Sequence, residues 1–120
     1  MSDQPPHPKI LNLRDSVPVP VVIDGARGAT GRPLLERSEG KGELDFRVVS
    51  LGPGGVSADH THSWEQTNFV LSGTGTVRLG DETHAVAADD FIYVPPNVGH
   101  VYVNTGSDDL VLITVLGPRG

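Results

Sequence analysis

The sequence predicts an all-β fold, a sandwich or barrel of short strands. Three observations indicate it: β-rich segments follow one another, turn-forming residues separate them, and no long segment has the 3.6-residue period of a helix. The segments are LDFRVVSL, WEQTNFVLSG, GTVRLG, THAVAA, DFIYVP, HVYVN and LVLITVL, all between residues 44 and 116. The turn signals are GPGG, SGTG, GDE, ADD, PPNVG and TGSDD.

The N-terminal third gives weaker signals. Residues 1–9 are polar and proline-rich, which predicts a mobile tail. ILNL and VPVPVVI predict short edge strands, since proline is tolerated at sheet edges. Residues 24–43 predict a turn-rich connection around Leu34 and Leu35, with room for a short helix. We therefore expect a tail and possible edge strand over residues 1–20 and a single domain over residues 21–120.

Composition limits the class of protein. A chain of 120 residues suits one domain with one core, and its few aromatic residues predict a core mostly of Val, Leu, Ile and Ala. The net charge of −6 argues against a nucleic-acid or anionic-membrane surface, and the lack of cysteine excludes disulfides and thiolate sites. No apolar run approaches the ~18 residues of a membrane span, and MSDQPPHPK does not resemble a secretory signal. We expect a cytoplasmic protein.

Two histidines two residues apart open the chemically distinctive stretch, HTHSWEQ. Residues two apart on a strand point to the same side, so His60 and His62 aim at one place. Gln66 shares the parity of His62, whereas Glu65 has the opposite parity and is expected to face outward. An isolated His-x-His is more often a pair of surface histidines than a metal site. The surrounding residues therefore decide between these two interpretations.

The surrounding residues resemble the two sequence motifs of the cupin superfamily. The first motif is filled by Gly54, His60, His62, Gln66 and Gly73. The second is filled by Asp89, Pro95, Asn97, His100 and Asn104. The spacing is kept over residues 54–104. The stretch is similar to small single-domain cupins reading HxHxWEH or HxHPHEQ, the latter including cupins of pectin and uronate breakdown.

This sequence departs from the cupin motifs at three positions. Asp89 and Asn97 replace glycines, and both residue types tolerate the left-handed turn conformation. Gln66 replaces the usual glutamate, and Glu65 stands one position too early to take its place. The first two changes leave the fold expectation intact, and the third changes the charge of the site.

The resemblance implies a small jelly-roll β-barrel with a ligand pocket at one mouth, and one divalent transition metal per chain. The implied ligands are His60, His62, Gln66 and His100. Imidazole and oxygen suit Fe, Mn, Ni, Zn or Co without choosing among them. Neutral ligands leave the charge of the metal uncompensated, which predicts a strong Lewis acid that favours a small anionic molecule. We predict no site for an organic cofactor.

Strand alternation places further side chains near this site. Asn68 shares the side of Gln66, Tyr102 shares the side of His100, and Arg47 alternates with core residues, so these three are the predicted substrate-binding residues. Arg47 and Tyr102, with Tyr93, are also the catalytic candidates. The alternatives are that Arg47 is a surface cation paired with a nearby acid, Glu43 or Asp45, and that the tyrosines only pack.

The remaining candidates receive simpler interpretations. Trp64 is expected to pack at the barrel mouth, and Asp89 and Asp90 to form a turn. His84 follows a turn and is expected to be exposed. His7 lies in the tail.

These features predict a metalloenzyme acting on a small carboxylate- or carbonyl-bearing molecule, by isomerase or lyase chemistry or as a dioxygenase. The alternative is a non-catalytic, metal-dependent binding or sensing module, and a cupin without metal is the third reading. Unpaired edge strands are a liability, so we also expect a homodimer.

Overall fold

A computed structural model describes residues 7–39 and 43–119 of the chain. Most of the predicted tail, residues 1–6, lies outside the described residues. A 3₁₀ turn, Leu13–Asp15, comes first. Nine strands follow within the described residues: β1 Val19–Pro20, β2 Arg27–Leu35, β3 Asp45–Val56, β4 Gln66–Ser72, β5 Thr74–Leu79, β6 Glu82–Ala87, β7 Phe91–Val94, β8 His100–Asn104 and β9 Leu110–Leu116. No helix in the described ranges is long and apolar enough to cross a membrane.

All strand pairs are antiparallel, in the order β6-β5-β8-β3-β9-β4-β7, with β2 beside β3 and β1 beside β2. The long strand β3 joins the two halves of the sheet. Its residues from Asp45 to Leu51 pair with β9, whereas Val56 pairs with Val103 of β8. The sheet therefore curls, which confirms the predicted all-β jelly-roll barrel. The seven segments predicted between residues 44 and 116 correspond to β3 through β9.

The GPGG segment is a bend inside β3 and not the turn that its composition predicts. Gly54 has a φ of 73°, and a Cβ added to Gly55 would lie 2.7 Å from the carbonyl oxygen of Gly52. Gly55 therefore has no room for a side chain, and Gly54 adopts a left-handed backbone that glycine tolerates without strain. The bend carries β3 from one half of the sheet to the other.

Two predictions for the N-terminal third are wrong. ILNL forms no strand; the chain instead enters the 3₁₀ turn, where the Asn12 side chain accepts a hydrogen bond from the Arg14 amide. The expected turn-rich connection contains β2, which pairs along β3, so Leu34 and Leu35 lie in a strand. The ladder with β3 stabilises β2 although its sequence, RGATGRPLL, has low intrinsic β propensity.

Two turns, one before β7 and one before β8, have the left-handed backbone that the sequence predicts. Asp89 has a φ of 74° and Asn97 a φ of 65°, both in the left-handed region. Asn97 also donates its amide to the carbonyl of His62 at 2.7 Å, which joins the loop before β8 to the His-x-His segment.

Aliphatic side chains form the core, as composition predicts. The fully buried ones include Leu51, Val70, Val77, Val94, Leu110 and Leu112. Several buried side chains are polar: Asp45, Gln66, Asn68, His100, Asn104 and Thr114. Buried polar groups need hydrogen-bond partners. Gln66, Asn68, His100 and Thr114 line one cavity.

Candidate metal centre

Three of the five histidines come together at one end of the barrel. His60 and His100 form an isolated antiparallel bridge, in which each amide donates to the other's carbonyl at 3.0 and 2.9 Å. His62 follows two residues after His60 and lies on the same side. One ring nitrogen from each of these three histidines lies within 4.8 Å of the others, which is close enough for one metal ion.

Backbone carbonyls determine which ring nitrogen faces the cluster. Nδ1 of His62 lies 2.9 Å from the Trp64 carbonyl, and Nδ1 of His100 lies 3.0 Å from the Val98 carbonyl. Because a carbonyl oxygen only accepts, each Nδ1 carries the proton, and each Nε2 of the neutral ring presents a lone pair. This hydrogen bond to the far nitrogen is the usual support of a metal-binding histidine.

A chain of hydrogen bonds orients the amide of Gln66. It begins at the Ile113 carbonyl, which only accepts, so the amide nitrogen of Asn68 donates there at 3.2 Å and to Oγ1 of Thr114 at 2.8 Å. The oxygen of Asn68 therefore accepts from Nε2 of Gln66 at 2.8 Å. This leaves Oε1 of Gln66 facing the imidazoles.

The resulting site is a convergence of acceptors. Oε1 of Gln66 lies 3.2 Å from Nε2 of both His62 and His100. With both Nδ1 atoms protonated, three lone pairs point together and repel one another unless a positive charge lies among them. The set of imidazole nitrogens and one amide oxygen suits a divalent transition metal, so these residues fit the ion that the motifs imply.

Burial favours the ligating form of the histidines. His60 and His100 are partly and fully buried respectively, and desolvation lowers the pKa of each below the ordinary value. A lower pKa keeps the ring neutral, with a lone pair available, to a lower pH.

The pair Glu65 and Gln66 divides between the two faces of β4, as alternation predicts. Gln66 is buried among the imidazoles, whereas the exposed Glu65 accepts a hydrogen bond from the hydroxyl of Tyr93. That bond raises the pKa of Tyr93. Tyr93 is 46% exposed and the structure does not bring it to the histidine cluster.

A cavity of about 260 Å³ opens beside the histidines. Its lining contains the three histidines, Gln66, apolar side chains and two arginines. The apolar lining residues include Val21, Ile23, Val49, Leu112 and Leu116, and the arginines are Arg47 and Arg119.

The three predicted substrate-binding residues all line this cavity. The hydroxyl of Tyr102 donates to the oxygen of Asn68 at 2.9 Å, and burial raises the pKa of Tyr102, which keeps that hydroxyl protonated. The polar atoms of Asn68 are thus engaged by protein neighbours and position Gln66. Contact of Asn68 or Tyr102 with a substrate stays a prediction.

Arg47 combines parts of both interpretations of its sequence. It lies in the cavity lining, yet its Nε and one terminal nitrogen donate to the two carboxylate oxygens of Asp45 at 2.7 and 2.6 Å. This is the bidentate geometry of a strong charge-assisted pair. A role as a substrate clamp or as a catalytic residue stays a prediction.

Trp64 contacts the cluster more directly than sequence reasoning expects. Its ring stacks on His62, with centroids 4.6 Å apart and planes 1° from parallel. The guanidinium of Arg119 lies 4.9 Å from the Trp64 ring centroid, and that of Arg37 lies 5.8 Å from it. Thr114 could be found as a polar residue in an apolar strand, but no pattern in the sequence marks Arg37 or Arg119.

The other two histidines lie apart from the cluster. His84 is exposed and lies 3.3 Å from a carboxylate oxygen of Glu82, and both residues belong to β6, the second strand of the β5–β6 hairpin. His7 is exposed at the start of the described residues.

Comparisons with known proteins agree with the geometry. The family described as Cupin domain matches residues 47–116. Auxin-binding protein 1 of Arabidopsis thaliana is 31% identical over 103 residues, which are 72% of this chain and 52% of that protein. The chain thus spans about half the length of this relative.

Two solved structures share the fold. The polyketide cyclase RemF of Streptomyces resistomycificus has a TM-score of 0.84 at 24% identity, covering 92% of this chain and 80% of its own. A predicted oxalate decarboxylase of Thermotoga maritima has a TM-score of 0.86 at 20% identity, covering 92% and 99%. Identities this low show the fold alone.

Proposed function

The chain belongs to the cupin family, and from that premise we propose that it is a metal-dependent enzyme acting on a small carboxylate- or carbonyl-bearing molecule. The observation that carries the proposal is the convergence of acceptors, in which the oxygen of Gln66 and the Nε2 atoms of His62 and His100 face one another in the lining of a cavity. Such a set favours a cation, and the cavity leaves room for a second molecule beside it.

His60, His62, Gln66 and His100 are the residues that would hold the metal. A divalent ion there would act as a Lewis acid that polarises a bound oxygen. The rest of the chemistry belongs to the protein: Asn68 orients the amide of Gln66, Trp64 and Val98 set the tautomers of two imidazoles, and the apolar walls limit the water around a ligand. Because the four ligand side chains are neutral, a bound metal ion would keep its full positive charge, and the loaded site would favour an anion.

The proposed reaction is a non-redox isomerisation or elimination. The alternative reaction is the oxidation of the substrate by a dioxygenase. Resemblance to the small cupins of uronate breakdown supports the non-redox assignment. Relatives in this fold include a polyketide cyclase and a predicted oxalate decarboxylase, so the fold does not select the reaction.

Turnover assays under defined gas and metal conditions test the enzyme proposal. Protein loaded with Zn²⁺ or Ni²⁺ is assayed without oxygen, and protein loaded with Fe²⁺ is assayed with an oxygen electrode, both against a panel of small hydroxy- and keto-acids. We expect turnover without oxygen, lost in His62→Ala and retained in His84→Ala. Oxygen consumption coupled to substrate loss would instead identify a dioxygenase.

A binding or sensing module is the second candidate. The observation that favours it is that the described residues lining the cavity include no carboxylate, while Asn68 and Tyr102 are already hydrogen bonded within the protein. General acid–base catalysis needs a side chain free to exchange a proton. Stoichiometric metal together with acid binding, but no turnover across the panel, would favour this candidate over the enzyme.

A further inference from the structure

The segment after β9 packs against one side of the cavity, which we call the mouth and define by Arg37, Trp64 and Arg119. The amide of Gly117 donates to the carbonyl of Glu65 at 2.9 Å, and the carbonyl of Gly117 accepts from Arg37 at 2.7 Å. These bonds hold the next residues beside Trp64, where the guanidinium of Arg119 stacks over the indole. Arg119 also belongs to the cavity lining. Arg119, which lies outside both histidine motifs in the sequence, is thus placed at the mouth.

Positive charge exceeds negative charge at this mouth. Arg37 and Arg47 share the carboxylate of Asp45, at 3.7 and 2.6 Å. Arg119 has no ion-pair partner within the described part of the chain and contacts Trp64 instead. Two guanidinium groups therefore share one carboxylate, and Arg119 adds a third positive charge beside Trp64, in a protein whose net charge is −6. Because the chain as a whole is acidic, this excess of positive charge is a local property of the mouth.

The mouth also has more hydrogen-bond donors than acceptors. Nε of Arg37 and Nε1 of Trp64 are buried and have no hydrogen-bond partner. An unpaired buried donor is unfavourable, and such groups are uncommon in folded proteins. A ligand that brings a negative charge to this place offsets the local excess of positive charge.

The size and lining of the cavity restrict the rest of the ligand. At about 30 Å³ for each water-sized group, a volume of about 260 Å³ holds about nine non-hydrogen atoms. Aliphatic side chains also line the cavity, with Val49, Leu112 and Leu116 among them. A fitting ligand therefore has an apolar part.

We propose that Arg119, supported by Arg37 and Arg47, binds the carboxylate of a ligand whose apolar body fills the cavity and whose far end faces the histidine cluster. The inference adds a carboxylate-binding residue to the proposed function. It rests on that function only for the contact between the ligand and the histidine cluster. Arg119 is then a specificity-determining residue, and its planar guanidinium suits the two oxygens of a carboxylate.

Benzoate and benzamide form a matched pair of probes, because both have nine non-hydrogen atoms and only benzoate is charged. Calorimetric titration uses the full chain after chelator treatment, at a pH above the ordinary histidine value of about 6.5, so that neither metal nor imidazolium attracts the anion. We expect benzoate to bind at least about tenfold more tightly than benzamide, the size of one charge-assisted hydrogen bond.

Arg119→Ala should remove that difference by weakening benzoate binding at least about tenfold, with benzamide binding unchanged. Arg119→Lys should keep part of the preference, because it keeps the charge and loses the planar fork. The matched control is Arg14→Ala, which removes the same charge from an exposed residue outside the cavity lining and should behave as wild type.

Two results would overturn the inference: no preference for benzoate in the wild type, or a preference that survives in Arg119→Ala. Metal content is measured on the same variants. Loss of metal in Arg119→Ala with benzoate preference retained would show that Arg119 instead supports the Trp64–His62 stack. A wild-type protein that binds no metal but prefers benzoate would contradict the proposed function and leave the carboxylate site standing.

Discussion

At the scale of single residues, the amide of Gln66 decides the character of the site. Alternation along β4 predicts that Gln66 faces the histidines and that Glu65 does not, and the side chains lie in that way. Which end of the amide faces the imidazoles is beyond sequence reasoning. It depends on hydrogen bonds from Asn68 to Thr114 and to the Ile113 carbonyl, which reach across from β4 to β9.

Asn68→Ala tests the orientation of that amide. The change removes the acceptor that holds Nε2 of Gln66, so the amide no longer presents its oxygen reliably to a metal. Loss of a group that orients a metal ligand typically weakens metal binding about 10–100-fold, and we expect a loss in that range. Competition with a chromophoric chelator measures the affinity.

Thr67→Ala is the control for Asn68→Ala, because Thr67 is the preceding residue of β4 with its side chain on the other face. It should bind metal as the wild type does. Equal metal affinities for Asn68→Ala and the wild type would remove Asn68 from the account of the site.

At the scale of elements, two loops bring the ligands together, and the backbone of Asn97 joins them. The His-x-His segment precedes β4 and the PPNVG loop precedes β8, and the amide of Asn97 joins them through the carbonyl of His62. Asn97 has a φ of 65°, a conformation that costs most residues about 1–2 kcal/mol. Asparagine and glycine adopt it with less strain.

Substitution of Asn97 separates backbone strain from side-chain loss. Asn97→Ala should lower the free energy of unfolding by about 1 kcal/mol, because alanine is strained at this φ, whereas Asn97→Gly should cost less. Urea denaturation of both variants measures the difference. If alanine proved as stable as glycine at this position, the left-handed backbone would not explain the residue.

Strands β3 to β9 are predictable because their apolar residues alternate and turn residues separate them. Strand β2 is not, because RGATGRPLL alternates weakly and derives its stability from the ladder with β3. The bend in β3 is also hidden, since GPGG is a common turn sequence and only the pairing of Leu51 and Val56 with partner strands shows that the strand continues on both sides of it. Local patterns report local preferences, and both exceptions depend on distant pairing.

At the scale of the whole molecule, exposed apolar side chains collect in the N-terminal arm. Ile10, Val17 and Val22 are 103%, 74% and 91% exposed, and β1 lies at an edge of the sheet. We expect a homodimer that covers this arm. Size exclusion with light scattering should give twice the chain mass of 12.7 kDa, and Val22→Asp should shift the protein toward monomer. A monomeric wild type would contradict this expectation.

The whole barrel brings together parts that lie far apart in the chain. The two histidine motifs are visible in the sequence because their spacing is regular. The mouth is not visible there, because Arg37 follows β2, Arg119 follows β9 and Trp64 precedes β4. Only the curled sheet places these three residues together, so the positive charge at the mouth is a property of the fold.

Elemental analysis of the protein as purified, repeated on His62→Ala and His84→Ala, tests whether the histidine cluster binds a metal ion. His62 lies in the cluster, and His84 is an exposed histidine outside it, so the two changes are chemically matched. The account predicts about one divalent transition-metal ion per chain in the wild type and in His84→Ala, and a large loss in His62→Ala. Stoichiometric metal remaining after His62→Ala, or no metal taken up by the wild type, would contradict the assignment of the site.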